Sequence, residues 1–293
     1  KMKFMVLFAN SRGMWSFRQA ELQSLLELIS CTDYSMKWTR DDDCPIEDRI
    51  LMEVDLPSED VAKALAERSI CIKAIFEPWG SGSTADECWQ IVNKFPKERM
   101  TPFTQDETEF KINIMAYGRS ISQQERKSIL QSCFDHIDFR GKVALEKAPK
   151  ITDDQDRCVH QFWWIEDCGQ QQIRAAHRDV PFSQVHFCRQ VALGQRHLLD
   201  VYDLSKRVYL CTTSMTAENS LLSANFAHAR RGALVLDPFC GSASLLLAAA
   251  HFGAETVGAD IDARVLRGKR ADAGFAAHCS FAQRPGEVAA SSP

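Results

Sequence analysis

Two periodicities alternate along the first 150 positions. Phe4, Val6 and Phe8 recur at every second position, as the buried face of a strand requires. Leu22, Leu25, Leu26 and Ile29 then fall at i, i+3, i+4 and i+7, one face of a helix. The acidic DDDCPIED (41–48) interrupts as a loop, and ILMEVDLP (50–57) reads as a strand stopped by Pro57. Ser58 with Glu59 and Asp60 starts a helix, because the hydroxyl can take up free N–H groups and the acids suit the positive helix end. That helix is expected to bury Val61, Ala64 and Leu65. A strand around Ile70, Ile72 and Phe76 follows, then a helix carrying Trp89 and Val92 that stops at Pro96. FKINIMAYG (110–118) alternates most cleanly, and a polar helix over 122–134 and the strand GKVAL (141–145) close the series. Short strand and helix units of this kind predict an α+β region with helices on one sheet face.

From about 150 to 185 the pattern dissolves. ITDDQD (151–156) and GQQQIRAAHRDVPFSQ (169–184) are polar and aperiodic around a short apolar strand, FWWI (162–165), and 151–205 is expected to be linker. Beyond it, ALVLDPF (233–239) is an apolar run ending in an acid, as a central parallel strand ends at its functional edge. Gly241 permits a tight turn and close approach of backbone to a ligand. SLLLAAAHFG (244–253) is a helix with Gly253 as its stop, and TVGADID (256–262) is a second strand ending in Asp260 and Asp262. Asp260 lies 19 residues after Gly241, where the acid of a βαβ nucleotide site takes both hydroxyls of a ribose. The full G-x-G-x-x-G fingerprint is absent, which disfavours a pyrophosphate. A sulfonium cofactor without phosphates fits better, so S-adenosylmethionine is the expected ligand. Each residue also has a plainer role open to it: Asp237 as a helix cap, Gly241 as a turn, Asp262 as surface.

Composition adds bounds. The 293 residues are 45% hydrophobic and 25% charged with a net charge of −4, an ordinary globular profile with room for about two domains. No apolar run is long enough to span a membrane, and KMKFMVLFAN is too short an apolar stretch for a signal peptide. The chain does not begin with Met, which suggests a fragment or trimmed translation. Eleven cysteines, none spaced C-x-x-C, read as buried thiols of a reducing, cytoplasmic compartment rather than as metal ligands or disulfides. Charge is uneven: residues 1–60 carry 12 acids against 7 bases, and residues 169–234 carry 8 bases against 4 acids. A basic middle can attract phosphates. Candidate contacts are Lys142, Arg189, Arg196, Lys206 and Arg207, and a solvated surface charge accounts for each equally well.

The segment DPFCGSASLL…HFGAETVGADID resembles the DPFxGxG motif and following strand of the tRNA guanine-10 N2-methyltransferases. LPSEDVAKALAERSICIKAIFEPWG, FKINIMAYGRSISQQERKSIL and HFCRQVALGQRHLLDVYDLSKRVYLCTTSM are similar to that family in the same order, so the likeness runs over about residues 4–270. The fold it implies is an α+β N-terminal ferredoxin-like and THUMP region, followed by an incomplete α/β Rossmann-like methyltransferase domain. The boundaries expected are 1–150 for the RNA-binding region, 151–205 for the linker, 206–270 for the first part of the methyltransferase domain, and 271–293 for a divergent tail. The resemblance also implies a reaction, transfer of a methyl group from S-adenosylmethionine to N2 of guanine 10 in tRNA. It implies a small zinc-binding activator subunit as partner.

Carried across by motif, Asp237, Pro238, Phe239, Gly241 and Ser242 match the cofactor loop. Asp260, Ile261 and Asp262 match the end of the second strand, and Thr212, Thr213, Ser214 and Met215 match a segment near the cofactor. Two departures stand out. Ala243 occupies the place of the motif's second glycine. No two of the ten prolines are adjacent, so the Asp-Pro-Pro-Tyr-type motif that orients the target amine is missing, and DVPF (179–182) only loosely resembles it. The expectation is therefore a family member cut off after its second catalytic-domain strand, with no catalytic residue assigned and no methyl transfer by the chain as it stands. A tRNA-binding module without catalysis is the main alternative, and a methyltransferase acting on DNA or protein the weaker one.

Overall fold

Strands β1 (Met2–Phe8), β2 (Ser35–Trp38), β3 (Leu51–Leu56), β4 (Ile72–Gly82), β5 (Glu109–Tyr117), β6 (Lys142–Val143), β7 (Val159–Asp167) and β8 (Gln184–Leu193) hydrogen-bond into one mixed sheet in the order β2-β3-β1-β4-β8-β7-β5-β6. The computed structural model describes residues 1–40, 43–144, 159–169, 184–207 and 214–262. Within the sheet, β7 runs parallel to β5 and antiparallel to β8. The expected linker over 151–205 therefore fails for 159–167 and 184–193, which are interior strands. The reason is burial on both faces. Phe162 and Trp164 pack on one side of β7 and Ile165 on the other, which erases the alternation that marks a half-buried strand.

The chain divides into two compact units, the first comprising Lys1–Leu7, Tyr34–Ala62 and Ala74–Leu193. Before its helices come α1 (Phe17–Leu28) and α2 (Glu59–Ala66), the latter burying Ala62, Leu65 and Ala66, one position beyond the expected face except for the shared Leu65. Helices α3 (Ala85–Val92), α4 (Lys97–Thr104) and α5 (Gln123–His136) belong to the first unit. Thr84 caps α3 by accepting the Glu87 N–H at 3.2 Å, and Ser122 with Glu125 forms a reciprocal capping box on α5. These helices help enclose an aromatic core of Trp79, Trp89, Phe110, Phe162, Trp164 and Phe187. Met5, Leu51, Phe76 and Ile165 make a second cluster on the other sheet face.

The second unit combines Phe8–Asp33, Lys63–Lys73 and the described residues from Gly194 onward. It contains α1, then α6 (Leu198–Val201), α7 (Ala217–Phe226), β9 (Leu234–Asp237), α8 (Ser244–His251) and β10 (Glu255–Gly258). Residues expected to serve only an N-terminal domain thus contribute α1 and 63–73 to the unit that carries the βαβ element. Glu21 of α1 is fully buried and accepts the N–H groups of Ile70 and Cys71, each at 2.9 Å. Leu198, Leu221, Ala224, Ala248 and Ala249 form the apolar core beside them. Strands β9 and β10 pair in parallel from Leu234↔Glu255 to Asp237↔Gly258. Leu234 and Leu236 are 68% and 63% exposed, so β9 is not the fully buried central strand that its apolar run predicts.

Candidate cofactor-binding site

At the end of β9, Asp237 accepts the backbone N–H of Phe239 at 3.1 Å, and the chain turns through Cys240, Gly241 and Ser242 into α8. Gly241 (φ 49°) and Ala243 (φ 60°) are both left-handed. Glycine adopts this conformation freely, whereas the Cβ of Ala243 makes it cost about 1–2 kcal/mol. The turn is clamped to the end of β10. Gly241 donates its N–H to Asp260 Oδ2 at 2.9 Å, Asp262 donates to Asp260 Oδ1 at 2.9 Å, and Cys240 donates to the Ala259 carbonyl at 2.9 Å. Two motifs separated by 19 residues therefore meet at one sheet edge.

Around this edge Pro238 is exposed, Phe239 is 85% exposed and Ile261 is fully exposed, while Ser242 is buried within the loop. Ser214 donates its hydroxyl to Ser242 Oγ at 2.8 Å, which places the segment before the βαβ unit against the loop. Thr212 and Thr213 lie outside the described residues, as does DVPF (179–182). Burial, with the negative charges of Asp237 and Asp260, pushes the Cys240 thiol up, so it stays protonated at neutral pH.

The donor and acceptor set suits S-adenosylmethionine. Asp237, Asp260 and Asp262 place three carboxyl groups at one edge, unfavourable to a pyrophosphate and favourable to hydroxyls and a sulfonium cation. Each Asp260 oxygen receives one backbone N–H, which leaves acceptor capacity for a ribose diol. The backbone bonds also hold the carboxylate in a set orientation.

The expected phosphate contacts fare differently. Lys142 is exposed on β6, and Lys206 is half-exposed beside Asp200 at 2.9 Å. Arg189 is not a surface cation: it is buried, donates to Glu77 at 2.9 Å and Glu59 at 2.5 Å, and stacks 4.0 Å over the Phe103 ring. A guanidinium buried against two carboxylates and an aromatic face is not presented to a phosphate backbone. Arg196 donates to the Ile70 carbonyl at 3.0 Å, to Glu218 at 3.2 Å and to Ser11 at 3.0 Å. Arg207 turns its fork onto Ser242 and Ser244 of the cofactor loop. Sequence reasoning missed this last role because the partners lie 35 and 37 residues away and share no periodicity.

A glycine turn after one strand, a helix, and an acid at the end of the next parallel strand define the opening of a Rossmann-like α/β domain, here following an α+β region in the same chain. The chain belongs to the family described as the Tmrp11 THUMP N-terminal domain, whose model matches residues 2–196. The tRNA (guanine(10)-N(2))-methyltransferase TRMT11 of Bos taurus is 34% identical over 213 residues, covering 73% of this chain and 43% of that protein. The tRNA (guanine(10)-N(2))-methyltransferase of Saccharomyces cerevisiae is 32% identical over 270 residues, covering 90% of this chain and 56% of that protein. The chain thus spans about half the length of the curated relatives it matches. The crystal structure of TrmN from Thermus thermophilus aligns with a TM-score of 0.46 at 12% identity, over 91% of this chain and 67% of that one. No helix among the described residues is long and apolar enough to cross a membrane.

Proposed function

We propose that the chain is the RNA-binding and cofactor-binding portion of a cytoplasmic S-adenosylmethionine-dependent tRNA (guanine-N2)-methyltransferase. The observation that carries the cofactor half is the Gly241–Asp260 hydrogen bond at 2.9 Å, which joins the glycine turn to the strand-end acid. Asp260 receives the ribose hydroxyls and Asp237 adds negative charge at the same edge. Exposed Phe239 and Ile261 supply apolar surface for an adenine ring. The cofactor supplies an electrophilic methyl group; the residues named here bind and orient it. Ser214 extends the site from the preceding segment. In domain terms, the ferredoxin-like and THUMP region takes in β7 and β8 as well as the strands before residue 150, and β9, α8 and β10 belong to the methyltransferase domain.

Membership of the THUMP family over 2–196 and the relatives' named substrate support tRNA as the nucleic acid. Lys142 and Lys206 are the described candidates best exposed to a phosphate backbone. A small zinc-binding activator subunit is the proposed partner. Methyl transfer also needs an acceptor for the guanine amine, and the sequence has no adjacent prolines with which to build an Asp-Pro-Pro-Tyr-type motif. The 293-residue chain by itself is therefore proposed to bind without transferring.

Calorimetric titration with S-adenosylhomocysteine tests the cofactor reading. The wild type should bind and Asp260→Ala should bind at least about tenfold more weakly, a loss of about 1.4 kcal/mol. Equal binding by the two proteins would remove Asp260 from the site. Titration with unmodified tRNA across a salt series should show affinity falling steeply with salt. A radiolabelled methyl-transfer assay should give no turnover, and turnover would overturn the non-catalytic reading.

A further inference from the structure

Two left-handed residues stand two positions apart in the cofactor loop, and only one of them is glycine. Ala243 carries a Cβ into a conformation that disfavours it, so the surroundings must hold it there. Arg207 does so from the far side of the sequence. Its Nη1 donates to Ser244 Oγ at 2.6 Å and its Nη2 to the Ser242 carbonyl at 2.5 Å, so one planar fork grips both residues flanking Ala243. Ser244 Oγ also accepts the Met215 N–H at 3.2 Å, and Ser214 binds Ser242 Oγ at 2.8 Å. Ser242 and Ser244 are buried, so these bonds are shielded from water.

We infer that Arg207 is a positioning residue for the cofactor loop, holding the alanine-containing turn in the shape a glycine would adopt unaided, rather than a contact for RNA phosphate. The inference rests on the cofactor reading above for its functional consequence. It does not need that reading for its structural one. Lysine cannot replace the fork, because one ammonium cannot present two coplanar donors to the Ser242 carbonyl and the Ser244 hydroxyl.

The test uses the full chain as wild type, Arg207→Lys, Arg207→Ala, Ala243→Gly and Arg207→Ala with Ala243→Gly. Binding of S-adenosylhomocysteine and amide hydrogen exchange at 241–245 are read on each, with the global unfolding midpoint as control. Arg207→Lys and Arg207→Ala should weaken binding about tenfold and speed exchange at the loop. Adding Ala243→Gly should restore most of both, while tRNA affinity and its salt slope stay at the wild-type value. Rescue by glycine is the decisive outcome, since a general loss of packing would not be repaired by it. Unchanged loop exchange in Arg207→Ala, or no rescue, overturns the inference. So does a fall in the salt slope of tRNA binding. If the wild type binds no S-adenosylhomocysteine, the cofactor reading fails, and the exchange data still judge the role of Arg207.

Discussion

Asn225 donates its side-chain amide to Glu21 Oε1 at 2.8 Å across 204 positions of sequence, and both residues are fully buried. The same carboxylate accepts the Ile70 and Cys71 N–H groups at 2.9 Å and the Ser69 hydroxyl at 2.5 Å. Asn225 also donates to the Arg68 carbonyl at 3.0 Å and accepts from Arg68 Nε at 3.2 Å. One buried acid thus ties α1, the 68–71 segment and α7 into the unit that presents the βαβ element.

Removing that acid leaves several donors buried without an acceptor. Glu21→Ala should lower stability by about 2–4 kcal/mol, and Asn225→Ala by about 1–3 kcal/mol. Because the two share a bond, the double variant should lose less than the sum, by about 1 kcal/mol in a denaturant-unfolding cycle. Strict additivity would mean that the two residues do not act as a unit.

Arg189 is predicted to matter for folding and not for RNA. Arg189→Met keeps the bulk but strands Glu77, whose side chain is 3% exposed, and should cost about 2–4 kcal/mol in urea unfolding. The loss stays moderate because Arg99 still pairs with the other Glu77 oxygen. Lys142→Ala, on an exposed strand end, should leave stability within about 0.5 kcal/mol while reducing the salt slope of tRNA binding.

His186 gives the first unit a pH dependence. It is 2% exposed, its Nδ1 lies 2.8 Å from Ser81 Oγ, its Nε2 has no hydrogen-bond partner among the described residues, and burial pushes its pKa down to about 4. The unfolded chain takes up the proton near pH 6.5, while the folded chain resists until about pH 4. His186 is therefore neutral in both states above pH 6.5 and lowers stability progressively as pH falls toward 4. The contribution should reach roughly 2 kcal/mol at pH 5. Unfolding at pH 7 and pH 5 should show this loss in the wild type and a smaller one in His186→Phe.

Gly194 leaves no room for a side chain: a Cβ there would sit 1.9 Å from the Ile72 carbonyl oxygen. That carbonyl is backbone and cannot move aside like a flexible side chain. Gly194→Ala should cost roughly 3 kcal/mol or more, read as a lowered melting midpoint or loss of soluble protein.

Much of the local structure was legible in advance. The alternation of Phe4, Val6 and Phe8 marks β1, the spacing of Leu22, Leu25 and Leu26 marks α1, and the polar stretch over 122–134 marks α5. Each signal comes from residues within one or two turns, which is why a linear pattern carries it. FWWI reads as a short strand, but its full length and its place inside the sheet escaped, because a strand buried on both faces has no polar side to alternate with. The Gly241–Asp260 pair was legible because a βαβ unit has a narrow range of lengths, so strand-end acid and glycine turn meet at a predictable spacing.

The sequence by itself determined the helices and strands with one wet face, the glycine turn, and the strand-end acid that it meets. Tertiary structure alone decided the fate of the charges. Arg189 and Arg207 look alike on the chain, yet one is enclosed by Glu77, Glu59 and Phe103, and the other grips the carbonyl and hydroxyl beside Ala243. Glu21 likewise looks like an ordinary acid on a surface helix until four donors converge on it. Periodicity records which side of an element faces water. It carries no information about partners brought from distant positions, and a buried charge is tolerated only when such partners are in place.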